Sequence, residues 1–68
     1  MRSFSYTNPD NGAIVTLALV DHGDEGAVIL FGDLGVKTLF IGAKNVAAAT
    51  YEVEVAPYKA RAKEEARA

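Results

Sequence analysis

The chain has 68 residues, a formal net charge of −2 and no cysteine. A chain this short holds one hydrophobic core, and the absence of cysteine excludes disulfides, thiolate metal sites and thiol catalysis. A single histidine makes a histidine-rich zinc site implausible, so we expect neither a metal nor a cofactor. The acidic balance disfavours nucleic acid as a partner.

The charges divide the chain into two regions. Residues 1–56 carry three basic and seven acidic residues, whereas residues 57–68 carry four basic and two acidic ones. We therefore predict a β-rich domain over 1–56 and a C-terminal basic helix or tail over 57–68, with Pro57 as its first helical residue. This tail could pack on its own sheet, reach an acidic patch of a neighbouring copy or contact nucleic acid. Its candidate contact residues are Tyr58, Lys59, Arg61 and Lys63.

The first half of the chain predicts two strands and a tight reversal. Residues 3–7 alternate polar and apolar types, which places Phe4 and Tyr6 on one face of a half-buried strand. Residues 8–12 contain Pro9 and end in Asn11-Gly12, which is typical of a tight turn. Residues 13–20 are apolar at both alternating sets of positions, so this strand is either covered on both faces or has one face reserved for another subunit.

The second half predicts three more strands. Residues 27–31 are again apolar on both sides, and 36–41 return after a turn at 32–35 with Val36, Thr38 and Phe40 opposite Lys37, Leu39 and Ile41. The alternation at 51–55 predicts a fifth strand with Tyr51, Val53 and Val55 facing the core. We therefore predict a mainly β fold, a small antiparallel meander of about five strands forming a barrel or a compact sandwich with a short C-terminal helix or tail.

The loop at 21–26 is the candidate polar site. It brings together Asp21, His22, Asp24 and Glu25, which are the residue types required by a hard cation or a general acid/base pair. The spacing of an EF-hand loop is missing, however, and no nucleophile adjoins His22. A solvated hairpin tip is the favoured interpretation, and no phosphate-binding glycine motif occurs elsewhere, so we expect no enzymatic activity and no catalytic residue.

The aromatic side chains could in principle stack single-stranded bases. Few cations accompany them in the β-rich region, and most occupy positions that face the predicted core, so hydrophobic packing is favoured. They are Phe4, Tyr6, Phe31, Phe40, Tyr51 and Tyr58.

These features predict a non-enzymatic structural or interaction protein that acts as a homo-oligomer or as an accessory subunit of a larger assembly. A phage capsid decoration or cement protein is one example of comparable size, and such a protein is part of a virion. Otherwise we expect the chain in the cytoplasm, since no signal peptide is visible. The alternative is a small regulator that binds single-stranded nucleic acid or mimics it. The apolar runs are too short to span a membrane, so we expect no membrane as a partner. The expected partner is protein, either a second copy or a larger assembly. The candidate interface residues are Ile14, Val15, Leu17, Leu19, Ile29 and Phe31.

Overall fold

Four antiparallel strands form one open sheet, and a single long helix lies across one of its faces. The structure, a computed structural model, describes residues 2–67. The strands are hydrogen-bonded in chain order, so the sheet is a simple meander. The elements are β1 (Arg2–Thr7), β2 (Ile14–His22), β3 (Glu25–Gly32), β4 (Gly35–Ala43) and α1 (Lys44–Arg67).

The predicted reversal at residues 8–12 is confirmed, and its geometry follows from its side chains. The Asn8 carbonyl accepts a hydrogen bond from the Gly12 amide at 2.8 Å, and the Asn8 side chain accepts one from the Asp10 amide at 2.9 Å. Gly12 has a φ of 73°, which a residue without Cβ adopts at no steric cost. The turn thus fixes the pairing of β1 with β2, in which Thr7 lies opposite Ile14.

A β-bulge in β4 changes which side chains face the helix. Val28 pairs with Phe40, but its neighbour Ile29 pairs with Thr38, so Leu39 is an extra residue on β4. Both Leu39 and Phe40 pack against the core as a result. The predicted alternation of β4 is therefore wrong beyond the bulge: Phe40 lies on the helix side and Ile41 on the opposite side.

The predicted fifth strand at 51–55 is wrong, because these residues lie within α1. The molecule is accordingly an open four-stranded sheet with one C-terminal helix, and not a five-stranded barrel or sandwich. Tyr51 and Val55 are four residues apart and share the buried face of the helix, while Val53 between them is 69% exposed. Ala47 and Tyr58 extend the same face at helical spacing.

Helix α1 spans the predicted domain boundary between residues 56 and 57, and Pro57 lies inside it rather than at its start. A proline in a helix interior removes one hydrogen bond and costs about 3 kcal/mol. Packing beyond this point offsets that cost: the ring of Tyr58 lies 5.7 Å from that of Tyr6, and Tyr6 donates a hydrogen bond to the Glu65 carboxylate. The helix is therefore anchored at both ends of the sheet.

The core lies between the helix and the sheet face that it covers. Close approach of the two layers at the start of the helix depends on Gly26, where an added Cβ would lie 2.9 Å from the Cβ of Ala47. Every buried side chain of residues 2–66 is apolar or aromatic, and the contiguous core cluster consists of Leu17, Leu19, Val28, Ala47, Tyr51 and Val55.

Candidate functional site

The sheet face opposite the helix is an uncovered, largely apolar surface on the described part of the chain. Because side chains alternate between the two faces of a strand, the neighbours of the buried Leu17 and Val28 point away from the helix. We call this surface the open face. It comprises Ser3, Ser5 and Thr7 of β1, Ile14, Thr16, Ala18 and Val20 of β2, Ala27, Ile29 and Phe31 of β3, and Val36, Thr38 and Ile41 of β4.

Four large apolar side chains of the open face are exposed. Val36 is 67% exposed, Ile41 65%, Ile14 52% and Phe31 40%, although all four side chains are large and hydrophobic. Ala18 lies between them in the central row and is itself buried. Large apolar side chains therefore surround the small Ala18, on a surface that no element within residues 2–67 covers.

The open face contains no charged side chain among the thirteen residues that define it. The same alternation points His22 and Glu25, which pair beside the β2–β3 turn, to this side of the sheet, so ionisable side chains lie at one end of the open face. Along the β1 edge the surface becomes polar but remains neutral, and the hydroxyl groups of Ser5 and Thr16 are hydrogen-bonded at 2.8 Å. The face thus combines an apolar area over three strands with a hydroxyl-bearing edge.

The predicted interface residues divide between the two sheet faces. Ile14, Ile29 and Phe31 lie on the open face, whereas Leu17 and Leu19 are buried beneath the helix in the protein's own core. Val15, the sixth of these residues, points to the helix side and lines an apolar hollow of about 360 Å³ beside the β3–β4 turn. Leu30 and Lys37 line the same hollow, and Leu34 stands fully exposed at its rim.

Sequence reasoning missed several open-face residues. Val20 and Ala27 lie opposite each other in the β2–β3 ladder. Each is next in sequence to a core residue, Leu19 or Val28, so the alternation of side chains is sufficient to place both on the open face. Ile41 could not be found in this way, because the bulge reverses its direction.

Two of the four predicted tail residues contact the chain's own sheet, and a third contacts a ring of its own helix. Tyr58 packs on the core, the Lys59 ammonium lies 5.8 Å from the ring centre of Phe4, and the Arg61 guanidinium lies 6.0 Å from that of Tyr58. Such cation–π contacts add modestly to stability at accessible sites. Lys63 is exposed.

The polar loop becomes a tight turn in the structure. Gly23 and Asp24 alone connect β2 to β3, and the φ of 63° at Gly23 suits a hairpin turn with glycine at its first position. Asp21, His22 and Glu25 lie in the flanking strands and are exposed. Within residues 2–67, no three His, Asp or Glu side chains are grouped so that they could hold a metal ion.

A second, narrower apolar surface follows the outer side of the helix. Val46 is 45% and Val53 69% exposed, and alanines continue the stripe at helical spacing. The helix therefore has apolar residues on two opposite sides, which explains why its sequence shows little amphipathic character. The stripe consists of Val46, Ala49, Val53, Ala56 and Ala60.

No protein-family model matches the chain, and neither a curated protein nor a solved structure is significantly similar to it. Helix α1, the one helix within residues 2–67, is not apolar enough to cross a membrane.

Proposed function

We propose that the protein is a non-enzymatic interaction protein whose open face is covered by another protein surface in an assembly. The observation that carries this proposal is the exposure of Val36, Ile41 and Phe31 on one uncharged surface. An exposed, contiguous apolar area is typical of an interaction site in a soluble protein. The same strands bury their other face under the helix, so the fold already stabilises itself without using the open face.

The distribution of polar groups supports an interaction role over catalysis. The apolar hollow at the β3–β4 turn is lined by a single ionisable side chain, Lys37. General acid/base and nucleophilic chemistry both require two or more polar groups converging on a protected space. Among the described residues, polar side chains also pair between the sheet and the helix, as Tyr6 with Glu65 and Arg2 with Glu52, but none of these residues lines the hollow.

The structure favours protein over single-stranded nucleic acid as the partner. Base stacking requires exposed aromatic rings with cations nearby. Phe4, Tyr6 and Tyr58 lie between the sheet and the helix, while Lys59 and Arg61 already lie near aromatic rings of the chain itself. Phe31 is an exposed ring on the open face, where no cation accompanies it.

An accessory subunit on a larger particle, such as a capsid decoration or cement protein of a phage, is one form that this function can take. A chain of this kind needs a folded body and one surface that docks, and the open face supplies the surface. The homo-oligomer is the other form.

Site-specific photo-cross-linking tests the proposal. A photoactivatable amino acid is placed at position 36 on the open face, or at position 53 on the outer side of the helix as a control of nearly equal exposure. After irradiation of intact cells that encode the chain, we expect one discrete protein adduct from position 36 and little from position 53. Absence of adducts at both positions, or equal diffuse labelling, would contradict the proposal.

A further inference from the structure

We infer that the open face is covered by the open face of a second copy, so that two sheets form a two-fold, eight-stranded sandwich with a helix on each outer side. This inference rests on the proposed function and names the partner. It follows from the charge, the size and the arrangement of small and large residues on the open face.

The absence of charge is the first argument for self-association. The chain carries a net charge of −2, so two copies repel each other wherever their charged surfaces meet. The thirteen residues of the open face limit this repulsion because none of them is ionisable, and the two ionisable residues that point the same way, His22 and Glu25, lie at one end of the sheet. In a two-fold interface both copies contribute the same patch, so this patch must be complementary to itself. A neutral apolar surface meets this requirement.

The size of the face sets the expected strength of the dimer. Four strands about 4.8 Å apart, with about seven residues rising 3.3 Å each, give a footprint of roughly 450 Å² on each copy. Two such faces bury on the order of 900–1,000 Å² in total, near the lower limit for a specific interface. We therefore expect a dimer with a dissociation constant of roughly micromolar order rather than an obligate one.

The arrangement of side chains selects the orientation of the two sheets. A two-fold axis perpendicular to the strands places each strand opposite its own counterpart, so the hydroxyl-bearing β1 edges meet each other and apolar strands meet apolar strands. The strands of the two sheets then run antiparallel, so the β2–β3 turn of one copy, with Asp24 and Glu25, lies at the same end as the β3–β4 turn of the other copy rather than against its own counterpart. An axis parallel to the strands would lay β1 over apolar residues.

The same axis also places one large side chain over a small one. Ala18, Ile29 and Thr38 form one row across the sheet. If the axis passes along this row, the ring of Phe31 lies over the small Ala27 of the second copy. A large side chain of one sheet then fits over a small side chain of the other sheet, as in sandwiches whose two sheets lie about 10 Å apart.

Sedimentation velocity on the purified chain, from low to high micromolar concentration, tests the inference. We expect a reversible monomer–dimer equilibrium. Val36→Lys should raise the dissociation constant at least about tenfold, because the two-fold axis buries the added charge twice without a partner. Val53→Lys is the matched control, since Val53 is a valine of nearly equal exposure on the outer helix stripe, and it should leave the equilibrium unchanged. Circular dichroism establishes that both variants are folded.

A wild-type chain that stays monomeric at high micromolar concentration would overturn the inference. If photo-cross-linking at position 36 still gave a discrete adduct in cells, the proposed function would stand with a foreign partner. If Val53→Lys dissociates the dimer while Val36→Lys does not, association runs through the helix and the inference fails.

Thiol cross-linking tests the orientation, and the chain has no native cysteine to interfere. In the antiparallel pair, Val36 of one copy faces Ile41 of the other. A mixture of Val36→Cys and Ile41→Cys chains, treated with a bifunctional thiol reagent spanning about 10 Å, the spacing of packed sheets, should therefore give linked heterodimers. Each variant alone should give several-fold less product. Equal yields from all three samples would contradict the antiparallel arrangement.

Discussion

The two faces of the sheet are built from the same four strands but differ in what covers them. On the face beneath the helix, Leu17 is 1% and Val28 0% exposed, whereas Val36 and Ile41 on the open face are 67% and 65% exposed. Both faces are apolar, so their composition does not explain the difference. The apolar character of a strand position therefore shows that it needs covering, but not whether its own chain or another chain does so.

The chain offers one element to cover two faces. Helix α1 has 24 residues and packs against the covered face along its length, from Ala47 at its first turns to Tyr58. The open face has no equivalent element within residues 2–67. The contrast between the faces can be tested by variants that disturb one face and spare the other.

The largest effect is expected from removing a core side chain on the covered face. Leu17→Ala leaves a cavity beneath the helix and should lower the free energy of unfolding by about 2–5 kcal/mol. Ile14→Ala removes a comparable side chain that is 52% exposed on the open face, and should cost less than about 1 kcal/mol. Urea unfolding at low micromolar concentration, where the monomer predominates, measures both. Equal losses would show that the open face is covered within the monomer.

The next effect concerns the spacing between helix and sheet. Gly26→Ala forces a Cβ to within 2.9 Å of the Cβ of Ala47, and overpacking of this kind costs about 1–3 kcal/mol. Gly32→Ala is the matched control, because a Cβ at this position of the same strand has no neighbour within 4 Å. Thermal unfolding should show a lower melting temperature for the first variant alone. A normal melting temperature for Gly26→Ala would mean that the helix sits farther from the sheet.

A smaller contribution to the free energy of unfolding, from a contact at the covered face, depends on pH. The hydrogen bond from Tyr6 to the Glu65 carboxylate raises the pKa of Tyr6 above its ordinary value of about 10, and burial raises it further. A group whose pKa is raised by folding stabilises the fold while it is protonated. This contribution is fully present below about pH 10 and is lost as the pH rises through the higher folded-state pKa.

Urea unfolding between pH 8 and pH 11 therefore checks the Tyr6 contact. The midpoint of the wild type should fall above about pH 10, and Tyr6→Phe should lack this part of the decline. Glu65→Gln keeps the tyrosine but removes the carboxylate, so it should weaken the pH dependence. Identical pH profiles for all three proteins would exclude a stabilising contact between the end of the helix and β1.

The strands could be predicted from the sequence because their signals are local. The predicted strands 13–20, 27–31 and 36–41 overlap β2, β3 and β4, and the tight turn at 8–12 lies where it was expected. Turn residues such as Asn11-Gly12 and continuous apolar runs depend only on neighbouring residues. The same signals did not separate Ile14, Ile29 and Phe31 on the open face from Leu17 and Leu19 in the core, and all five were predicted as one candidate interface.

The helix and the bulge could not be predicted in this way. In residues 51–55, a polar residue separates each apolar one, which fits a strand, yet Tyr51 and Val55 also have the spacing of one helical face. Only the continuation through Ala47 and Tyr58 distinguishes the two. The bulge at Leu39 is set by how β4 packs against β3 and the helix, and this tertiary effect reversed the assignments of Phe40 and Ile41.

The smallest effect is expected from the exposed ion pair that joins β1 to the helix. The Arg2 guanidinium donates to the Glu52 carboxylate at 2.9 Å, and both side chains are about half exposed. Solvent screening limits such pairs, so Glu52→Gln should lower the free energy of unfolding by at most about 1 kcal/mol. Glu54→Gln is the control, since Glu54 is exposed on the same helix and forms no ion pair within residues 2–67.

Urea unfolding in low and high salt separates the charge effect from packing. The difference between Glu52→Gln and Glu54→Gln should shrink in high salt, because added ions screen exposed charges. Arg2 also lies 5.2 Å from the ring centre of Tyr51 and keeps that contact in the variant. A loss as large as that of Leu17→Ala would mean that charge, rather than apolar burial, holds the helix on the covered face, and the contrast between the two faces would then need a different explanation.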